Sequence, residues 1–270
     1  MTDRAAAFGA ERAAGGPADV GGRPWHPEVF GAPVGGAAAA LVLPDGVLQA
    51  AEVRWRPSYR VIASEYAGEN LFDRLQTQQD YAAALQELED LRAIADLTNA
   101  AVQHEAGAID LVRPEDRVYG PGAGLIMAAF AYPRGGSRFC DGQTGGAYYA
   151  GAALETAIRE TVYHTEQALR GTESCRLEKT VIEAWVDAEL VDVRAGRPQP
   201  PGLYDPTDYR AGQAFAALVR RLGGFGVVYD SVRHRGGTCV VVLRPPALSR
   251  AVATQTLHYH WDGHCVASVR

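Results

Sequence analysis

Apolar positions recur along the chain with two different periods, and the switches between them mark out its elements. Over residues 152–169, Leu154, Ile158, Thr161 and Val162 return at three- and four-residue steps, which predicts a helix with one buried face. A longer run of the same kind covers about residues 77–104, with Tyr81, Leu85, Leu88, Leu91, Ile94 and Ala95 on one stripe, a break at Asn99 and a stop at Gly107. The segment 71–75 leads into it. Alternation with period two after Pro57 predicts a strand at Tyr59-Arg60-Val61-Ile62 and another over residues 179–186, with Val191-Asp192-Val193 a candidate for a further one. Residues 147–150 suit a short strand, whereas the short apolar run 125–130 leaves strand and helix open.

Towards the end, residues 205–209 read as a helix start leading into Ala214, Leu218, Val219 and Leu222, closed by Gly223-Gly224. Residues 226–231 and 239–243 read as buried strands on either side of a turn at 233–237. Residues 256–261 and 264–269 flank Asp262-Gly263, a two-residue hairpin signal. No internal repeat is present. Strands and helices mix without regular alternation, so the pattern argues for an α+β fold rather than a doubly wound parallel sheet.

Composition divides the chain in two. Residues 1–50 are rich in alanine and glycine, with Gly15-Gly16-Pro17, Gly21-Gly22 and Gly35-Gly36, and are expected to be a weakly ordered extension that Trp25 and Phe30 could anchor. Residues 51–270 are expected to form the globular domain. The 47% hydrophobic and 21% charged content is ordinary for such a domain. A net charge of −6 without a basic block excludes autonomous nucleic-acid binding. No apolar run approaches the roughly 20 residues that span a bilayer, and no secretory pattern opens the chain. Cys140, Cys175, Cys239 and Cys265 have neither metal-type nor redox-type spacing, which points to a reduced, cytoplasmic protein.

Candidate chemistry concentrates in residues 136–164. Arg138 lies in a polar loop punctuated by Gly142, Gly145 and Gly146, where backbone can come close to an anion. Tyr148 and Tyr149 follow in the short strand. Glu160 and His164 lie one turn apart on the flank of the helix, where both can border a pocket, and Glu155 falls on the opposite flank. Outside this stretch, Arg60 sits in an apolar strand, where an arginine is either ion-paired or free to bind a phosphate bidentately. Ser231 follows a buried strand and precedes Arg233-His234-Arg235-Gly236-Gly237; without a Gly-x-Ser-x-Gly elbow it is no hydrolase nucleophile. His258, His260 and Cys265 invite a metal, with Cys265 expected across from His260, but their spacing matches no zinc pattern and a closing aromatic hairpin explains them. Walker and Rossmann fingerprints are absent. Taken singly, these residues have structural explanations: an ion-paired arginine, a solvated carboxylate, a turn serine.

Their order along the chain resembles the RES domain family. The resemblance rests on Tyr59-Arg60, Gly136-Ser137-Arg138-Phe139, Tyr148-Tyr149-Ala150, Glu155-Thr156-Ala157-Ile158-Arg159-Glu160, and Tyr229-Asp230-Ser231-Val232-Arg233 before Gly236-Gly237. It covers about residues 56–269. What it implies is an ADP-ribosyltransferase-like α+β fold, a mixed or antiparallel sheet core with flanking helices, and the activity of the toxin half of a bacterial Xre–RES toxin–antitoxin pair that consumes NAD. On this resemblance Glu160, Arg60 and Ser231 are the catalytic set, and Arg138, Tyr148, Tyr149, His164 and Arg233 contact substrate. Arg60 and Arg138 would hold the pyrophosphate or ribose region, and Tyr148 would line the pocket by stacking. Glu160 would stabilise the charge that develops on the ribose, while Ser231 would orient the substrate. NAD is then a substrate, no metal or resident cofactor is needed, and an Xre-type antitoxin carries the DNA-binding function. The chain departs from the family at Asp208-Tyr209-Arg210-Ala211-Gly212-Gln213, where many relatives place serine or threonine just before the glutamine and this chain has Gly212. Ser231 then fills the serine role. The alternatives are a transferase that ADP-ribosylates a specific protein, and a catalytically inactive nucleotide-binding protein of the same fold.

Overall fold

The computed structural model describes residues 23–24, 42–43, 46–68, 77, 79–80, 82–84, 86, 111–133, 135–143 and 145–270. In chain order its strands are β1 (Arg23–Pro24), β2 (Val42–Leu43), β3 (Gly46–Val47), β4 (Gln49–Ala63), β5 (Tyr148–Gly151), β6 (Cys175–Asp192), β7 (Gly226–Asp230), β8 (Thr238–Val242), β9 (Leu248–Trp261) and β10 (Val266–Val269). The helices are α1 (Ala123–Ala131), α2 (Leu154–Ala168) and α3 (Arg210–Arg221). Of the long helix expected over residues 77–104, only 77, 79–80, 82–84 and 86 are described, of which 77 is a bend and the others are helical; its lead-in, its break at Asn99 and its stop at Gly107 lie outside the described residues, as does most of the extension before residue 46.

Eight strands form one sheet in the order β1-β4-β5-β8-β7-β6-β9-β10, and β6 pairs a second time with β4. The pairings of β4, β5, β8, β7 and β6 therefore close into a ring. Among them β6 and β7 run parallel and the others antiparallel, giving the mixed α+β architecture expected from the pattern.

Strand β6 is the spine. It carries β4 along one edge and β9, then β7, along the other, and Val181, Ile182, Ala184, Val186, Leu190 and Val191 are buried on its two faces. The two strands expected over 179–186 and 191–193 are one continuous strand. Asp187, just past the first of them, lies on the exposed side of the strand, where Arg54 and Arg56 of the neighbouring strand pair with its carboxylate.

Strand β4 contains the irregularity that matters most for the site. Ala51, Val53 and Trp55 are buried while Glu52, Arg54 and Arg56 are exposed, the alternation of a half-buried strand. Between Trp55 and Ser58 the register slips by one residue against β6, a bulge at Pro57, where a residue without an N–H is tolerated. The extra residue inverts the alternation. Ile62 packs on the same cluster as Ala51, Val53 and Trp55, whereas Tyr59 and Val61 join a different one. Arg60 is thereby carried to the face that holds Tyr148.

The helices cover three apolar clusters. The run left open at 125–130 is helical, and α1 buries Ile126, Met127 and Phe130 against Trp55, Ala184 and Val240. Helix α2 lays Leu154, Ala157, Ile158 and Val162 over Val61, Val181, Leu257 and Tyr259, the face its periodicity predicts. Helix α3 buries Phe215, Ala216 and Val219 on Val227 and Val241. It starts at Arg210, since residues 205–209 form a turn ahead of it.

The closing hairpin differs from its expected form. Val266 pairs with Trp261, so residues 262–265 make a four-residue loop instead of a two-residue turn. The Asp262 carboxylate stabilises it by accepting bonds from the backbone N–H groups of His264 (2.8 Å) and Cys265 (2.9 Å). Ser268, not Cys265, lies across from His260. Among the described residues no helix is long and apolar enough to cross a membrane.

Candidate active site

Six of the eight residues singled out from the sequence line one cavity of about 780 Å³: Arg60, Arg138, Tyr149, Glu160, His164 and Arg233. This volume lies within the range of small-molecule and cofactor sites. Its walls come from the end of β4, the loop before β5, β5 itself, α2, Tyr209 just ahead of α3, and the turn after β7. Leu125, Ala128 and Ala129 of α1 form an apolar wall, and the three arginines lie among aromatic rings.

Glu160 projects from the flank of α2, where its Oε1 accepts a hydrogen bond from the Ser231 hydroxyl at 2.6 Å. The direction of that bond is fixed by the turn that follows β7. Ser231 Oγ accepts from the backbone N–H groups of His234 (2.9 Å) and Arg233 (3.2 Å), which leaves the hydroxyl proton for the carboxylate. The turn lies against α2 because residue 237 is glycine: a Cβ there would stand 2.8 Å from Thr156 Oγ1 and 2.7 Å from His234 Nδ1. Ser231 itself does not reach the cavity wall. It stands behind Glu160, so the expectation that it orients substrate directly is corrected: it orients the carboxylate. The Cys239 thiol, on β8, approaches the same oxygen at 4.0 Å. Burial, reinforced by Glu160, pushes that thiol well above its usual pKa, so it stays protonated and is not a nucleophile.

Arg138 is the most telling cation. It is 9% exposed, and its Nη1 donates to the carbonyls of Leu203 (2.7 Å) and Asp205 (2.8 Å). Its guanidinium lies 5.0 Å from the centre of the Tyr209 ring. Neither Nε nor Nη2 has a hydrogen-bond partner among the described residues, and no described carboxylate pairs with it. A buried guanidinium in that condition is costly unless an anion completes it.

The other two arginines also rest on aromatic rings: Arg60 lies 4.7 Å from the centre of the Tyr148 ring and Arg233 3.3 Å from that of Tyr163. Arg60 further donates to the Tyr149 carbonyl at 3.4 Å, and Arg233 to the carbonyl of Pro206. Adjacent residues of β5 divide the work, as a strand's alternation requires. Tyr149 faces the cavity, where its hydroxyl meets Ser137 Oγ at 2.7 Å and accepts from Phe139 N at 3.0 Å. Tyr148 points the other way, fully buried beneath Arg60, and does not line the cavity; its expected stacking on substrate is corrected to a supporting role. Burial, with Arg60 opposing, pushes the Tyr148 phenol up to about 12.

His164 lies at the cavity rim. Burial holds its imidazole below the ordinary value, Glu160 pulls it up, and Arg233 and Arg138 push it down further. It is therefore predominantly neutral at pH 7. Glu155 stays away from the cavity, as its flank predicts, and pairs with Arg159 at 3.4 Å.

Sequence reasoning missed Tyr59, Glu65, Tyr66, Tyr209 and Tyr229 on the cavity wall. Tyr59 adjoins Arg60 and could have been found from the strand's amphipathicity; Tyr209 stood at a helix start and drew no chemical attention. Nothing in the sequence marks Glu65, which follows β4 in a short 3-10 turn. The missing hydroxyl also has an explanation. Gly212 packs so closely on the Arg138 loop that a Cβ would fall 2.2 Å from the Arg138 carbonyl oxygen. No side chain fits there, and the position does not line the cavity.

Three positive groups and a fixed carboxylate in one cleft suit an anionic ligand with a centre that becomes positive as it reacts. The family model of the RES domain matches residues 111–262, more than half of the chain. No curated protein matches it. Among solved structures, the chain is similar to one in the crystal structure of the M. tuberculosis MbcT-MbcA toxin-antitoxin complex, at 15% identity and a TM-score of 0.36, covering 48% of this chain and 75% of that one.

Proposed function

The chain belongs to the RES domain family, and we propose that it is the NAD-consuming toxin of a bacterial toxin–antitoxin pair. The observation that carries this reading is the combination of a buried Arg138 with which no described carboxylate pairs and a Glu160 carboxylate held by Ser231, both at one cavity. NAD supplies what each lacks. Its pyrophosphate is an anion for Arg138, with Arg60 and Arg233 nearby, and guanidinium forks match phosphate oxygens bidentately. Its nicotinamide ribose places a developing oxocarbenium ion where a carboxylate stabilises it.

The reaction breaks the bond between the ribose C1′ and the nicotinamide nitrogen. The electron pair leaves with the ring, which departs neutral because that nitrogen was already cationic, so the leaving group needs no general acid. Glu160 stabilises the positive charge left on the ribose and holds a ribose hydroxyl. Ser231 keeps Oε1 occupied and so directs the other carboxylate oxygen towards the substrate. The acceptor at C1′ is water or phosphate. An Xre-type antitoxin partner follows from the same reading.

Purified protein incubated with NAD, with and without phosphate, tests it. Free ADP-ribose or its phosphorylated form, appearing with nicotinamide, is the expected result. ADP-ribose attached to a polypeptide would instead favour the protein-modifying transferase. Tight NAD binding by folded protein without nicotinamide release would favour the inactive binding protein.

A further inference from the structure

Arg138 stands at the corner of a tight turn in which Ser137 and Cys140 face each other: Ser137 N donates to Cys140 O at 2.7 Å and Cys140 N to Ser137 O at 3.3 Å. Both carbonyls accept again from one atom outside the turn. Gln213 Nε2 donates to Ser137 O at 3.0 Å and to Cys140 O at 3.3 Å, spanning the turn from end to end. Gln213 lies in the first turn of α3, and two neighbours, Tyr209 just ahead of the helix and Gly212 within it, reach the same loop. The Tyr209 ring lies by the Arg138 guanidinium, and Gly212 lets the helix backbone meet the Arg138 carbonyl.

We infer that Gln213 is a positioning residue for Arg138: its side-chain amide clamps the turn so that the guanidinium is held ready for an anion before the ligand arrives. The chemistry needs a glutamine. One nitrogen must supply two hydrogens to two carbonyls, which a carboxylate cannot do, and asparagine is one methylene too short to span the same gap. Preorganisation of this kind lowers the cost of ordering a binding group when the ligand binds. Arg138 holds ground state and transition state alike, so loss of the clamp raises KM and spares kcat. The effect on turnover rests on the proposed NAD reaction; the clamp itself does not.

The test uses the full chain with Gln213→Met, close in size but without donors, and Gln213→Glu, close in shape but acceptor-only. In ligand-free protein, amide hydrogen exchange at Ser137, Phe139 and Cys140, the hydrogen-bonded amides of the turn, should accelerate about tenfold in both variants, the size of one net hydrogen bond lost, and the unfolding free energy should fall by no more than that one bond. With NAD, KM should rise about tenfold and kcat stay within about threefold. Unchanged exchange in the turn, or a fall in kcat with KM unaltered, overturns the proposal. If wild-type protein releases no nicotinamide, the NAD reading fails while the exchange measurement still decides the clamp.

Discussion

Ser231 and Glu160, 71 positions apart in the chain, are joined by a 2.6 Å hydrogen bond from hydroxyl to carboxylate. Two backbone N–H groups on the same serine oxygen leave its proton no better acceptor than Glu160. A bond to a charged group contributes about 1.5–3 kcal/mol. Ser231→Ala should therefore lower kcat for NAD cleavage about 10- to 100-fold with a small change in KM, and Ser231→Thr should retain most of the activity. Steady-state kinetics on the two variants checks this; an unaltered kcat in the alanine variant would remove Ser231 from the site.

Gly212 leads to a prediction about the absent hydroxyl. Gly212→Ser forces a Cβ onto the Arg138 carbonyl, so the substitution should raise KM and destabilise the fold by about 1–3 kcal/mol, the usual cost of overpacking. Were the hydroxyl a missing catalytic group, the same variant would gain activity.

His164 sets a pH dependence. Its folded-state pKa lies below the ordinary value of about 6.5, so between the two values the unfolded chain binds more protons than the folded one. Stability is then complete above about pH 6.5 and is lost as pH falls from there through the folded-state value. Wild type should lose more stability than His164→Gln between about pH 7.5 and 5.5, as urea-denaturation midpoints would report. Equal losses would mean that Glu160 cancels burial and the two arginines, and a smaller loss in wild type that it outweighs them.

Asp116 tests the frame behind the site. It is 3% exposed and accepts from Arg244 Nη2 at 2.7 Å and Nε at 2.9 Å, while Arg113 pairs with its other oxygen. Removing one partner of a buried pair costs about 3–5 kcal/mol. Asp116→Ala should show a loss of that order in chemical denaturation, whereas the exposed Asp208→Ala, remote from such a network, should lose far less.

Much of this site was legible in the sequence because helical periodicity is a local property. The apolar stripe of α2 fixed the flank on which Glu160 and His164 lie, and the glycines around Arg138 marked a loop open to an anion. What stayed hidden depends on partners distant in sequence. Pro57 is visible, but the inversion it imposes on Arg60 appears only when β6 lies beside it. Tyr148 and Tyr149 could not be assigned to core and cavity from a four-residue strand buried among neighbours. The continuity of β6 through Asp187 comes from its pairing with β4 on either side, Val53 with Ala188 and Trp55 with Val186, which are distant in sequence. Ser231 could be recognised as a candidate, yet its place behind Glu160 requires the turn to dock on α2 through Gly237. The α3 platform under Arg138 shows in the sequence only as a glycine where many relatives have a hydroxyl, because its contact with the Arg138 loop joins residues up to 76 positions apart.

The most direct test of the central claim is nicotinamide release from NAD by wild-type protein beside Glu160→Gln, which keeps the shape and removes the charge. Wild type should release nicotinamide, and kcat in the variant should fall by at least about 100-fold, as the loss of electrostatic stabilisation at a developing charge implies, with NAD binding retained through Arg138. Equal rates in the two proteins, or no release by folded wild-type protein that binds NAD, would contradict it.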